Sequence, residues 1–224
     1  MAGERAEYIL KLAGVQVGTG VFSVAPRVDS NDAPWHLSLK LSAFVGTLAY
    51  EANSTMNADF TRTISYHNME KIPARGVRTV QLDFNDANRT VIRYLNDNRQ
   101  GEPIQLPERY YDPLSMIYAF REMDFDAGKS IAWTVTDGKS KYMMSAAVER
   151  RETIEIGGRS LPSFLVIPDL GNFRGIFNQG KDAQMQIWFS DADDTLPLRI
   201  TFDGPGGAKI TAENSSFKAH RSHK

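Results

Sequence analysis

Cysteine is missing from all 224 residues, and histidine occurs only four times. The first absence removes disulfides, thiolate metal sites and a cysteine nucleophile together. It does not set the redox compartment, because a chain of this size can bury a sufficient core without staples. No apolar run approaches the roughly 20 residues of a spanning helix. Neither charge sign is in excess: 26 basic side chains stand against 27 acidic ones, a formal net of −1. That balance argues against a nucleic-acid binder, which shows a basic excess, and against a strongly acidic or polybasic membrane-surface protein. Signatures of catalysis are also missing. There is no Gly-x-Ser-x-Gly elbow, and Gly18 and Gly20 lack the third glycine and following helix of a dinucleotide loop.

What is present is alternation. Tyr8, Leu10 and Leu12 interleave with polar residues, as do Trp35, Leu37, Leu39 and Leu41, and again Val80, Leu82 and Phe84. Period-two patterning of this kind marks half-buried strands. Ser54–His67 reads as one long polar strand, Asn96–Gly101 as a turn, and Ala43–Ala49 as either a turn of helix or a strand. Gly14, Asp137-Gly138 and Gly157-Gly158 punctuate hairpins, with Asp137-Gly138 suited to a two-residue primed turn. Gly18 and Gly20 suit a bulge or a close backbone approach. Leu196, Leu198, Ile200 and Phe202 share one strand face. About a dozen short strands predict an all-β, mainly antiparallel fold: a large curved sheet, sandwich or open barrel. One segment differs. Tyr110–Phe125 carries apolar residues at helical spacing, with Asp112 as N-cap and Pro113 at a tolerated first-turn position. The expected organisation is one β-rich domain over 1–218 packed around a helix near 112–122, then a disordered tail, 219–224.

Asp112-Pro113-Leu114-Ser115 with Tyr118 and Arg121, the hairpin Gly128–Gly138, Gly157-Gly158 with Phe164, Trp188-Phe189-Ser190-Asp191 and Pro197-Leu198-Arg199-Ile200 together form a recognisable series. In these the chain resembles a bacterial family, domain of unknown function 3108. The resemblance implies an exported cell-envelope protein with an antiparallel β fold and brings no catalytic residue. It also implies a periplasmic location. The chain's abrupt entry into a strand is what an exported protein freed of its signal peptide would show, although a cytosolic protein starting with a strand would look the same.

Candidate sites are few. Asp191, Asp193 and Asp194 have calcium-loop spacing without the glycine and bidentate glutamate of such a loop, which favours a plain turn. His36 and His67 sit at polar positions of their strands with no third ligand in view. Tyr110, Tyr111, Arg121 and Glu122 would line a polar mouth beside the helix, or pack with Arg121 paired to a carboxylate. Phe173, Ile176 and Phe177 exceed what a solvated loop needs. They cover a sheet edge or, with Arg174, gate a cavity between sheet and helix. The expected function is therefore non-catalytic: an envelope protein without cofactor or metal that binds a hydrophobic or glycan-like ligand, or a protein partner. The expected ligand contacts are Tyr110, Tyr111, Arg121, Phe173, Arg174, Ile176 and Phe177. Two alternatives stand beside it, a carboxylate-based polysaccharide hydrolase and an assembly factor that uses sheet edges.

Overall fold

The computed structural model describes residues 4–26, 33–73, 75–122, 124–169, 171, 184–192, 195–203 and 208–216. Fifteen strands run through them: β1 Glu4–Leu12, β2 Val15–Pro26, β3 Trp35–Ala43, β4 Leu48–Met56, β5 Thr63–Ile72, β6 Gly76–Asn85, β7 Thr90–Leu95, β8 Asn98–Gln105, β9 Tyr110–Tyr111, β10 Ser130–Thr136, β11 Lys141–Ile156, β12 Arg159–Asp169, β13 Met185–Ser190, β14 Pro197–Asp203 and β15 Lys209–Asn214. All belong to one sheet, in the order β8 to β1, then β15 back to β9. Every pairing between these strands is antiparallel except β9 with β10. This is an up-and-down meander in cyclic order. Because β1 pairs with β15, the break falls between β8 and β9 and not at the chain's ends.

At that break the sheet overlaps itself. Tyr110 of β9 bridges to Arg62, just before β5, and its N–H donates to the Thr61 carbonyl at 3.2 Å. Its ring stacks on Phe84 of β6 with centroids 5.4 Å apart. The β10–β11 turn then lies against β6 and β7: Arg93 Nη1 donates to the Asp137 carbonyl at 2.7 Å, and a Cβ on Gly138 would lie 2.4 Å from Leu82 Cδ2. Curling buries the alternating apolar face, and the core gathers Leu37, Ala52, Leu82, Val91, Val135, Met144, Ile187 and Phe189 from strands far apart in sequence.

The helix is much shorter than its apolar spacing suggests. Tyr110 and Tyr111 are strand, α1 covers Ser115–Ala119, and a 3-10 turn follows at Phe120–Glu122. All five α1 residues are buried, the pattern of a helix enclosed on every side. Asp112 still caps: its Oδ1 accepts from Leu114 N at 2.7 Å and Ser115 N at 3.1 Å. Four other local readings change. Ser54–His67 is two strands, since Asn57 Oδ1 accepts from the N–H groups of Thr61 and Arg62 and closes a turn. Asn98–Gly101 is strand, the turn being only Asn96-Asp97, both with positive φ. Two-residue turns with both residues at positive φ fall at Ala13-Gly14, Asn96-Asp97 and Gly157-Gly158, whereas Asp137-Gly138 opens a four-residue loop. Leu198 leaves the face of Ile200 and Phe202, because a bulge in the β13–β14 register sends it to a second cluster with Leu165 and Trp188. Gly18 does meet a close backbone approach, as a Cβ there would lie 2.0 Å from the Ser42 carbonyl oxygen. The tail 219–224 lies outside the described residues.

Candidate functional site: a pocket at the sheet's edge

The described residues among those picked out by sequence do not converge on one site. Tyr110 is core, 1% exposed. Arg121 pairs with Glu4 of β1, with Nη2 to Oε1 at 3.1 Å, and its guanidinium lies 4.8 Å from the Tyr118 ring centroid. It ties the end of the helical segment to the sheet. Phe173, Arg174, Ile176 and Phe177 lie outside the described residues, as do Asp193, Asp194 and the Glu122 side chain. Asp191 pairs with Arg151. His36 and His67 are exposed, and His36 Nδ1 lies 3.1 Å from Thr55 Oγ1. Among the described residues no three His, Asp or Glu side chains group as metal ligands. The carboxylates of Asp59 and Glu152 both titrate lower than usual, Asp59 chiefly through a hydrogen bond from Thr61 and Glu152 through one from Trp188. A general acid needs the opposite shift.

Two polar constellations do form. The first surrounds Asp112, which is fully buried. Its Oδ2 accepts from Ser54 Oγ at 2.5 Å and Thr63 Oγ1 at 2.8 Å, while Oδ1 takes the two backbone N–H groups of the cap. The main-chain N–H of Asp112 donates to Thr63 Oγ1 and Ser115 Oγ. Both carboxyl oxygens are thus occupied by β4, β5 and the start of α1, which makes this a fastening between helix and sheet. Beside it the hydroxyls of Tyr50 and Tyr66 lie 3.1 Å apart, and Tyr8 donates to the Pro197 carbonyl at 2.9 Å.

Burial raises the pKa of all three phenols. A folded-state pKa above the unfolded value of about 10 contributes stability that is intact below pH 10 and lost as pH climbs beyond it. Each phenol steepens that loss by up to about 1.4 kcal/mol per pH unit. Burial raises Tyr110 and Tyr142 likewise, so alkaline unfolding should coincide with the appearance of five of the eight tyrosinate signals in ultraviolet absorbance. Smooth titration of all eight before any loss of near-ultraviolet circular dichroism would contradict this.

The second constellation is open. β9 covers β10 only at Thr134 and Val135, so among the described residues Ser130–Trp133 have a strand on the β11 side alone. Beside this bare stretch lies a pocket of about 300 Å³, lined by Tyr111, Ala119, Ile131, Trp133 and Met143, with exposed Glu108 and Arg109 at its rim. Tyr111 meets the Trp133 ring edge-on at 6.2 Å, and Phe120 meets it from within the core at 5.1 Å. The Trp133 indole nitrogen is buried and has no acceptor among the described residues. Of the described sequence candidates only Tyr111 reaches this pocket. Trp133 reads from sequence as a core strand residue, and its unsatisfied N–H leaves no mark there. Arg109, Ala119 and Met143 carry no local signal either.

A curled antiparallel meander that encloses a buried helix, with one aromatic pocket at its overlapped edge, defines a barrel-like β protein. The chain belongs to the family described as Protein of unknown function (DUF3108), which matches residues 7–213. Its fold is similar to the crystal structure of a beta-barrel-like protein of domain of unknown function DUF1849 from Brucella abortus, at 10% identity and a TM-score of 0.55, covering 96% of each chain. At that identity the likeness concerns the fold alone. No curated protein matches the sequence.

Proposed function

We propose that this is a non-catalytic periplasmic protein of the cell envelope that binds a hydrophobic or glycan-like ligand in the pocket between β10, the β8–β9 connection and α1. The observation that carries the reading is the Trp133 ring in the wall of that pocket, together with its buried indole N–H, which has no acceptor among the described residues. A buried tryptophan normally gives its N–H an acceptor, and leaving one without costs about 1–3 kcal/mol. A ligand with a flat apolar face would cover the rings of Tyr111 and Trp133, and an oxygen acceptor on it would relieve that cost once the indole turned its N–H to meet it. The compartment rests on the family resemblance, and fractionation of cells that make the native protein checks it.

Titration with alkyl glucosides and with chitin oligosaccharides, followed by isothermal titration calorimetry, tests the site. Binding of one series is expected, and Trp133→Phe, which keeps an aromatic ring but removes the donor, should weaken it roughly 5- to 100-fold. Equal affinity of wild type and Trp133→Phe, or no binding of either series, would refute the assignment.

A further inference from the structure

Antiparallel connectivity places the β1–β2, β3–β4 and β5–β6 turns at one end of the sheet, each two strands from the next. At about 4.8 Å per strand, these turns stand roughly 10 Å apart along a rim. Six large hydrophobic side chains are exposed among the described residues, and four of them are here: Val15 at 67%, Phe44 at 47%, Val45 at 104% and Val77 at 57%. Of the other two, Met143 walls the pocket and Ile64 begins β5 at the opposite end.

The β3–β4 tip is built to hold its apolar side chains outward. Phe44 and Val45 both have left-handed φ, 52° and 54°. That region is unfavourable for a β-branched residue, so valine is a poor choice for a turn that only needs to reverse the chain. The tip is pinned from both sides, since Phe44 N donates to the Val17 carbonyl at 2.8 Å and Thr47 Oγ1 to the Phe44 carbonyl at 2.8 Å. Two cations stand on the third hairpin. Lys71 lies directly opposite Val77, Arg75 sits in the turn, both are exposed, and neither has an ion pair among the described residues. The neighbouring Lys11 and Arg78 are neutralised by Glu213 and Glu70.

From this segregation we propose that the rim of Val15, Phe44, Val45 and Val77 docks on a lipid bilayer, its apolar tips entering the headgroup boundary while Lys71 and Arg75 meet anionic headgroups. Apolar side chains backed by cations are the signature of a protein that lies on a membrane. Two cations on a neutral chain make insertion the main contribution and charge the smaller one. A second protein copy or a partner protein would not require free cations beside the apolar tips.

Flotation with phosphatidylcholine vesicles, with and without phosphatidylglycerol, tests the proposal on the whole chain. Wild type should float with the anionic vesicles and less with the neutral ones. Phe44→Ser combined with Val45→Asp should lower the partition coefficient by about tenfold or more, with circular dichroism unchanged because both side chains are exposed. Lys71→Glu with Arg75→Glu should remove the preference for anionic vesicles and leave apolar partition in place. Wild type that floats with neither composition, a rim variant that floats like wild type, or light scattering showing a dimer that the rim variant abolishes would each overturn it.

Discussion

Asp112→Ala should destabilise the fold by about 3–5 kcal/mol, the largest effect expected from any polar substitution in the described structure. The carboxyl group is fully buried, and four donors converge on it: two hydroxyls from β4 and β5 and two backbone N–H groups at the start of α1. The hydroxyls can turn to other acceptors, but the N–H groups of Leu114 and Ser115 cannot. Stranding buried donors is costly, and the cost falls where the only described α-helix meets the sheet. At about 2–4 °C per kcal/mol for a domain of this length, the melting temperature should drop by roughly 6–20 °C. Asp112→Asn should do less harm, since its remaining oxygen can serve the two N–H groups while its amide faces the hydroxyls of Ser54 and Thr63. Urea titration of the three proteins checks both statements. A loss below about 1 kcal/mol for the alanine variant would show that the helix is held by apolar packing alone.

The second large effect concerns the seam. Gly138→Ala should cost about 2–4 kcal/mol, combining left-handed strain with a collision. Gly138 has φ +75°, and its added Cβ would lie 2.4 Å from Leu82 Cδ2 and 2.8 Å from Arg93 Cβ. Leu82 could swing its methyl aside, but Arg93 is gripped near its backbone, and its guanidinium is already spent on the Asp137 carbonyl. The β10–β11 turn would have to lift off β6 and β7, opening the overlap that completes the barrel. Gly128→Ala isolates the strain, because φ there is +83° with nothing within 4 Å of the new Cβ. That control should lose only about 1 kcal/mol. Hydrogen exchange should rise along β6, β7 and β10 in Gly138→Ala and stay unchanged in Gly128→Ala. Equal losses in the two variants would mean that the turn does not bear on the wall.

Alternation made most strands legible. Side chains on a strand point to opposite faces in turn, so β1, β3 and β6 announce a buried face through residue type alone. The Asp112-Pro113 helix start was equally visible, because capping is local chemistry. Errors arose where two local patterns fit the same residues. Tyr110-Tyr111 suits helix or strand, and the contact with Arg62 that settles it joins segments 48 residues apart. Leu198 lies at the right spacing for the inner face, and only the bulge opposite Trp188 turns it outward. The site was less legible than the fold. Tyr111 alone of the described expected contacts reaches the pocket, Tyr110 and Arg121 serve the core and the β1 tie, and the other expected contacts lie outside the described residues.

Residue types along this chain, with no neighbour in space consulted, determined an antiparallel sheet, a single capped helix and the family, because period-two alternation, turn chemistry and capping act over a few residues. The pairing of β1 with β15, the overlap at Gly138 and the pocket around Trp133 were decided by tertiary structure. Those features depend on how far a twisted sheet curls before its own edge meets it. That curl sums small contributions from every strand, and no local stretch of sequence contains it.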